Sequence, residues 1–434
     1  MLDPKLIRED TERVRNAVRV KRVGSQETVD GWLKADTDRR AAQARADSLR
    51  AEQGRIGGEV GKLKGRLKGG TSPELEALLA RAAELKTQYE QAVEIQNHNS
   101  QVADGLMLQL PLPPDPSWPV GADDRENVEV RKWSDPSVPV RRMSEGLKSH
   151  IEICESLGLV DFQRGVKIAG SRSYVLRGVG AQLYHAVLRF AMDVLQSRGY
   201  EPYVVPVLVT EACMTGTGFF PGARDQAYIT QDGNVLVGTS EVPLASFYAD
   251  EILDESILPA RMCAVSTCFR REAGAAGRDT AGLYRVHQFD KVEQVVVHRA
   301  DDAEHIAIHE EIIANSEYLL QSLKIPYRVM QVCTGDMGQG KWRMYDIESW
   351  MPSRDAYGET HSGSALQDFQ ARRLNIRYRR PGEKQPTFCY TLNNTAAACP
   401  RLLIAILENY QNADGSVTVP EALRPYMSGL ERIA

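Results

Sequence analysis

Apolar residues along the first hundred positions fall in steps of three and four. From Leu49 they recur at Ile56, Val60, Leu63 and Leu67, and a second run places Leu78, Ala82, Leu85, Tyr89 and Ala92 on the same rhythm. This spacing gives each of two helices one apolar stripe and predicts that they pair as a coiled coil. Between the runs, GGTSP (69–73) supplies glycines to end one helix, Ser72 as an N-cap and Pro73 in the first turn of the next. The expected N-terminal domain, residues 1–110, is thus an antiparallel coiled-coil arm. Gly54, Gly57, Gly58, Gly61 and Gly65 fall in its first helix. Each weakens that helix by up to about 1 kcal/mol relative to Ala, so a bendable arm is expected.

PLPPDPSWP (111–119) breaks the helical rhythm and reads as a linker to a second domain, 120–434. There the pattern mixes periods. LYHAVLRFAMDVLQSRG is an amphipathic helix stopped by Gly199. YVVPVLV (203–209) reads as a strand that Pro206 assigns to an edge or interface. AYITQDGNVLVG is a hairpin turning at Asp232-Gly233. MCAVSTCF, RVHQFDKVEQVVV, YRVMQV and RMYDIESWM are further strands. Few of them alternate with helices, so the fold class is α+β, an antiparallel sheet flanked by helices.

Composition narrows the partners. The chain has 434 residues and a net charge of −5, so nucleic acid would need a local basic patch. Arg55, Lys62, Lys64, Arg66 and Lys68, approaching the hairpin tip, form one. On charge alone a solvated helix face is the simpler reading; the alternative is an arm that contacts phosphates. No run of 18 apolar residues and no apolar signal core occur, and the seven Cys show no CxxC spacing. The expectation is a cytoplasmic protein with reduced thiols and no membrane partner.

Two segments carry candidate chemistry. GDMGQGKW (335–342) nearly fits the phosphate loop G-x-x-x-x-G-K-[ST], but Trp342 replaces the hydroxyl residue and a strand pattern, not a helix, follows. It reads as a glycine-rich strand connector. CFRREAGAAGRDTAGLYRVHQFDKVEQVVV (268–297) is stronger. Arg270 and Glu272, two apart on a strand, are expected on one face; Phe289 and Glu293, four apart on the returning strand, share another. Guanidinium, carboxylate and ring suit phosphate, amino group and base of a nucleotide. A structural ion-pair ladder is the bland alternative.

Nearly the whole chain resembles a bacterial-type seryl-tRNA synthetase, a class II aminoacyl-tRNA synthetase. FRREAG…GRDTAGLYRVHQFDKVE resembles motif 2, RGYEPYVVPVLVTEACMTGTG the motif 1 dimer interface, and GTSEVPLASFYADEIL the Thr-x-Glu serine-binding segment. FQARRLNIRYR and TLNNTAAACPRLLIAILENY resemble the motif 3 region, and the hairpin resembles the family's tRNA-gripping arm. The resemblance implies a homodimer that activates L-serine with ATP and Mg²⁺ and transfers it to the 3′ end of tRNA(Ser), with tRNA(Sec) left open and no DNA partner. Thr239, Ser240, Glu241, Arg270, Glu293, Asn393 and Thr395 would hold serine, Thr395 reading its hydroxyl. Arg270, Arg271, Glu272, Val286 and Phe289 would bind ATP, together with Glu359, Thr360, His361, Ser362 and Arg401. Arg270, Glu272 and Arg401 would be the catalytic contacts, Glu359 and Ser362 the metal ligands, and Arg55, Lys62, Lys64, Arg66 and Lys68 the tRNA contacts.

Some positions depart from the usual family pattern: Gly358 for Arg, His361 for Ser, Gly363 for Cys, Asn394 for Gly and Ala281 for Arg. They cluster near the serine and metal sites and allow a second copy with a specialised role, such as inhibitor resistance or seryl-tRNA supply to a biosynthetic pathway. Two rival classes exist. A non-catalytic tRNA-binding paralogue is disfavoured by intact Arg270, Glu272, Glu359 and Arg401; an amino acid–carrier protein ligase is disfavoured by the arm.

Overall fold

The computed structural model describes residues 1–274 and 281–434. The chain divides into two compact units, Leu2–Leu110 and Pro111–Ala434 with Met1.

In the first unit, short helices α1 (Pro4–Glu9) and α2 (Thr11–Lys21) precede two long ones, α3 (Gln26–Leu67) and α4 (Pro73–Met107). Leu49, Ile56, Leu85 and Ala92 are buried between α3 and α4, with Val60, Leu78, Ala82 and Tyr89 packed against them. The heptad stripe is therefore the seam. The Ser72 hydroxyl accepts from the Leu75 amide and Pro73 occupies the first turn of α4, as the cap chemistry requires. Helix α3 runs unbroken through its glycines and begins 23 residues before Leu49, at Gln26. Arg55, Lys62, Lys64 and Arg66 lie in its last turns and Lys68 caps its end at φ +45°; Arg55 is exposed and pairs with Glu59 at 3.2 Å.

The second unit is built on an eight-stranded sheet. In chain order its strands are β1 (Val128–Trp133), β2 (Glu201–Tyr203), β3 (Ala260–Phe269), β4 (Gln288–His298), β5 (Tyr327–Gln331), β6 (Arg343–Met351), β7 (Ala356–Ala365) and β8 (Tyr390–Cys399). Their spatial order is β1-β5-β6-β7-β8-β4-β3-β2. Every pair is antiparallel except β2 with β3. Helices α5 (Val179–Ser197), α6 (Glu241–Ser246), α7 (Asp302–Ser322), α8 (Phe369–Leu374) and α9 (Arg401–Asn409) flank it. Gly199, just beyond α5, takes φ +85°, the left-handed stop that favours glycine. Burial of Val292, Val295, Val296 and Val297 on the central strand β4 explains its continuous apolar run.

One expectation from the sequence needs correction. YVVPVLV is not one strand: pairing stops at Tyr203 and resumes at Leu208–Val209 in a separate small sheet. Pro206 has no amide to donate, and Val204 is fully exposed beside it. The Pro-rich segment 111–119 is anchored within its own unit, with the Trp118 indole donating to Val332 O at 2.9 Å and Asp115 paired with Arg343 at 2.6 Å. GDMGQGKW connects β5 to β6, as its strand-connector reading requires. A β-carbon on Gly335 would lie 2.5 Å from two carbonyl oxygens, so close backbone approach, not phosphate, accounts for that glycine.

Candidate active site

A cavity opens where β3, β4, β7 and β8 meet the start of α9. Its walls carry the guanidinium groups of Arg270, Arg285 and Arg401, the carboxylates of Glu272 and Glu359, and the ammonium of Lys291. Val286 and Phe289 supply apolar surface, and Thr360, His361, Ser362 and Thr395 also line it. The Arg270 guanidinium lies over the Phe289 ring, 5.2 Å from its centre.

Strand alternation does not place Arg270 and Glu272. Strand β3 ends at Phe269, and the chain then turns, with Arg270 N donating to His287 O at 2.9 Å and Glu272 at φ +51°. The left-handed residue swings the Glu272 carboxylate inward, where it accepts from Arg285 at 2.5 Å. Arg271 is exposed and does not line the cavity. The GRDT part of the motif, residues 277–280, lies outside the described residues.

Glu359 and Ser362 are three apart on β7, a spacing that in a regular strand puts them on opposite faces. The ladder pairs Ile347 with His361 but Glu348 with Glu359, leaving Thr360 as an extra residue. This bulge restores a common face, and both side chains line the cavity. Thr360 donates to Ile347 O at 3.3 Å and bonds His361 Nδ1 at 2.8 Å. Burial holds the His361 imidazole down at about 4, so it is neutral at pH 7. Among the described residues no three His, Cys, Asp or Glu side chains surround a metal position. Glu359 and Ser362 are nevertheless hard oxygen donors, and beside them Asp346, in register with Ser362, has a buried carboxylate oxygen without a partner. That donor set fits Mg²⁺, which keeps most of its waters and takes few protein ligands.

Arg401 opens α9 and is held from three sides. Its Nε donates to Tyr284 O at 2.9 Å, and its terminal nitrogen donates to Glu359 O at 2.9 Å and the Glu359 carboxylate at 3.2 Å. The Tyr284 ring is flanked by two guanidinium groups, Arg401 at 4.4 Å and Arg354 at 4.2 Å. A β-carbon at Gly358 would stand 3.1 Å from that ring and 2.9 Å from the Met351 sulfur. Glycine at 358 therefore makes room for this stack.

Of the residues expected to hold serine, Arg270 and Thr395 line the cavity, and Glu293 is bonded to Thr395. Thr239 accepts from the Glu241 amide at 3.1 Å, and Ser240 is fully buried with its hydroxyl 3.5 Å from Ala264 O. The Glu241 carboxylate accepts from Asn393 and from Gln370, each at 2.8 Å. Glu293 is almost wholly buried and ion-paired with Lys291. A bulge in the β4–β8 ladder pairs Glu293 with Thr395, whose hydroxyl donates to it at 3.4 Å. Burial pushes the Glu293 carboxyl up and Lys291 pulls it back, leaving it raised.

Among the described residues, Lys291, Tyr284, Arg285, Asp346 and Gln370 belong to the site but fall outside the set expected from the sequence. Lys291 sits two residues before Glu293, and the two-residue period of a strand is enough to put it on the same face. Arg285 and Tyr284 arrive from an irregular loop, and Gln370 from α8, about 130 residues beyond Glu241 in the chain, where no local pattern signals the contact.

Known proteins resemble this chain in sequence and in fold. Residues 228–410 match the tRNA synthetase class II core domain (G, H, P, S and T), and residues 1–113 match the seryl-tRNA synthetase N-terminal domain. A serine–tRNA ligase of Deinococcus radiodurans is 43% identical, covering 99% of this chain and 98% of its own length. One from a Synechococcus species is 41% identical, covering 99% and 97%. Among solved structures, the Pyrococcus horikoshii seryl-tRNA synthetase complexed with ATP superposes with a TM-score of 0.91 at 38% identity, covering 100% of this chain and 99% of that one. The Naegleria fowleri serine–tRNA ligase in complex with AMP gives a TM-score of 0.87 at 30% identity, covering 100% and 98%. The chain belongs to the seryl-tRNA synthetase family, ATP-dependent ligases of class II.

Proposed function

We propose that this cavity joins L-serine to ATP and then passes the seryl group to the 3′ end of tRNA(Ser). The observation that carries the reading is the convergence of Arg270, Arg401 and Glu359 with the buried Glu293–Thr395 pair around adjoining space. In the first step the serine carboxylate attacks the α-phosphate and pyrophosphate leaves; in the second a terminal ribose hydroxyl attacks the seryl carbonyl and AMP leaves. No side chain need act as nucleophile, because positioning and electrostatics do the work in such transfers.

Arg270 would span the serine carboxylate and the α-phosphate, stabilising the charge that develops between them. To reach it, Arg270 would leave the Phe289 ring, freeing that face for adenine, with Glu272 accepting from the adenine amino group. Arg401 would take the γ-phosphate. Glu359 and Ser362 would hold Mg²⁺, which when bound neutralises phosphate charge. Glu241 and Glu293 would receive the serine ammonium, and Thr395 its hydroxyl. The basic residues of α3 would contact tRNA phosphates.

A homodimer through the region of α5 and β2 is part of the same reading. Strand β2 is an edge of the sheet, and near it Val204, Phe247 and Leu208 expose apolar side chains. Among the described residues no helix is long and apolar enough to cross a membrane.

Serine-dependent exchange of labelled pyrophosphate into ATP tests the first step. The expected result is exchange that requires serine and stops on chelation of Mg²⁺. Absence of exchange with serine present would overturn the reading.

A further inference from the structure

Lys291 is a buried cation that none of the roles assigned above explains. It is 5% exposed, lies on β4 and lines the cavity. Its ammonium contacts two groups, the Glu293 carboxylate and the Thr395 hydroxyl, the latter at 3.3 Å. The same hydroxyl donates its proton to Glu293 at 3.4 Å.

These contacts fix the direction of every hydrogen bond. A threonine hydroxyl has one proton and two lone pairs. Lys291 carries no acceptor, so it must donate, and it fills one lone pair of Thr395. An ionised Glu293 must accept, and it takes the Thr395 proton. One lone pair is left, and it can only accept. Thr395 therefore offers an acceptor to an incoming hydroxyl, and an amino acid without a hydroxyl leaves that lone pair empty.

We propose that Lys291 is a positioning residue for serine selection, holding Glu293 ionised and locking the Thr395 hydroxyl as an acceptor for the serine hydroxyl. The inference rests on the reading of Thr395 as the serine-hydroxyl contact. The groups that face Glu293 are few. Lys291 on β4 is the favourable charge; Glu241 from α6 opposes it; Thr395 on β8 donates a hydrogen bond. Cys268 on β3 is also within its field, and burial raises that thiol, keeping it neutral at pH 7. Without Lys291, burial and Glu241 both drive Glu293 toward the protonated form. A protonated Glu293 can donate to Thr395, and the hydroxyl is then free to turn.

The test is serine- and alanine-dependent pyrophosphate exchange by the full-length enzyme from pH 6 to pH 9, for wild type, K291M, K291Q and K291R. Wild type must first show serine-dependent exchange, and its failure there would count against the proposed function rather than against Lys291. For K291M and K291Q, the expected result is a serine KM that climbs as pH falls, by up to about tenfold per pH unit below the Glu293 pKa, and recovers toward pH 9. The ATP KM should stay unchanged, and preference for serine over alanine should fall. K291R, which keeps the charge, should retain a flatter profile. A serine KM unchanged in both neutral variants would overturn the proposal, as would one raised equally at every pH. Unfolding of both neutral variants would overturn it too, making Lys291 a structural residue.

Discussion

Gly363 on β7 stands directly across the ladder from Asn394 on β8, and the amide fills the space a side chain at 363 would need. A β-carbon there would lie 2.5 Å from Asn394 Nδ2 and 2.4 Å from Ile313 Cδ1. The Asn394 oxygen meanwhile accepts from Gln294 at 2.8 Å and from Ser316 at 2.6 Å. The two departures from the usual family pattern thus form one compensating pair. Gly363→Ala should destabilise the protein by about 1–3 kcal/mol through overpacking. Asn394→Gly in the same chain should recover part of that loss. Denaturant melts of both single variants and the double variant measure the coupling; additive effects would deny it.

Arg270→Ala should lower serine-dependent pyrophosphate exchange by about 10²–10³, the usual loss for one preorganised charge contact. The melting transition should barely move, since the guanidinium rests on a ring rather than in a buried network. Near-normal exchange would remove Arg270 from the phosphate contact.

The arm's basic residues should matter for tRNA alone. Every residue lining the cavity lies between Arg270 and Arg401, so replacing Lys62, Lys64, Arg66 and Lys68 with Gln should leave pyrophosphate exchange intact. Binding of tRNA should weaken, and its log–log salt slope should flatten by about 0.7–0.9 for each phosphate that the variant leaves unneutralised. Filter binding at several salt concentrations checks both. An unchanged affinity and slope would leave these residues as a solvated helix face.

Val204→Glu tests the assembly. A side chain this exposed beside an edge strand costs nothing in a monomer but would bury a charge in a dimer. Wild type should scatter light as a dimer, since obligate interfaces of this kind bury about 2,000 Å² or more. The variant should dissociate at micromolar concentration. A monomeric wild type would contradict the proposed dimer.

What is legible in the sequence follows the reach of its signals. The heptad stripe from Leu49 to Ala92 and the Ser72-Pro73 cap are local, and the arm they predict forms, with α3 starting well before the stripe. Strands β3 to β6 are visible as apolar or alternating runs. The failures lie where geometry departs from a regular period. Pro206 breaks a strand that its β-branched neighbours advertise. Glu272 reaches the cavity through a left-handed turn, where strand alternation has no bearing. Glu359 and Ser362 share a face only because Thr360 bulges, which no pattern of residue types announces. Gln370 reaches Glu241 by tertiary folding alone.

The most direct measurement is aminoacylation by the purified full-length chain, with ATP, Mg²⁺, total tRNA and each of the twenty amino acids in turn. A site whose Thr395 lone pair waits for a hydroxyl should reject alanine by about 10⁴-fold or more. Charging is expected with serine alone, on serine tRNAs. Charging with a different amino acid, comparable charging with serine and alanine, or activation of serine without transfer to any tRNA would contradict it.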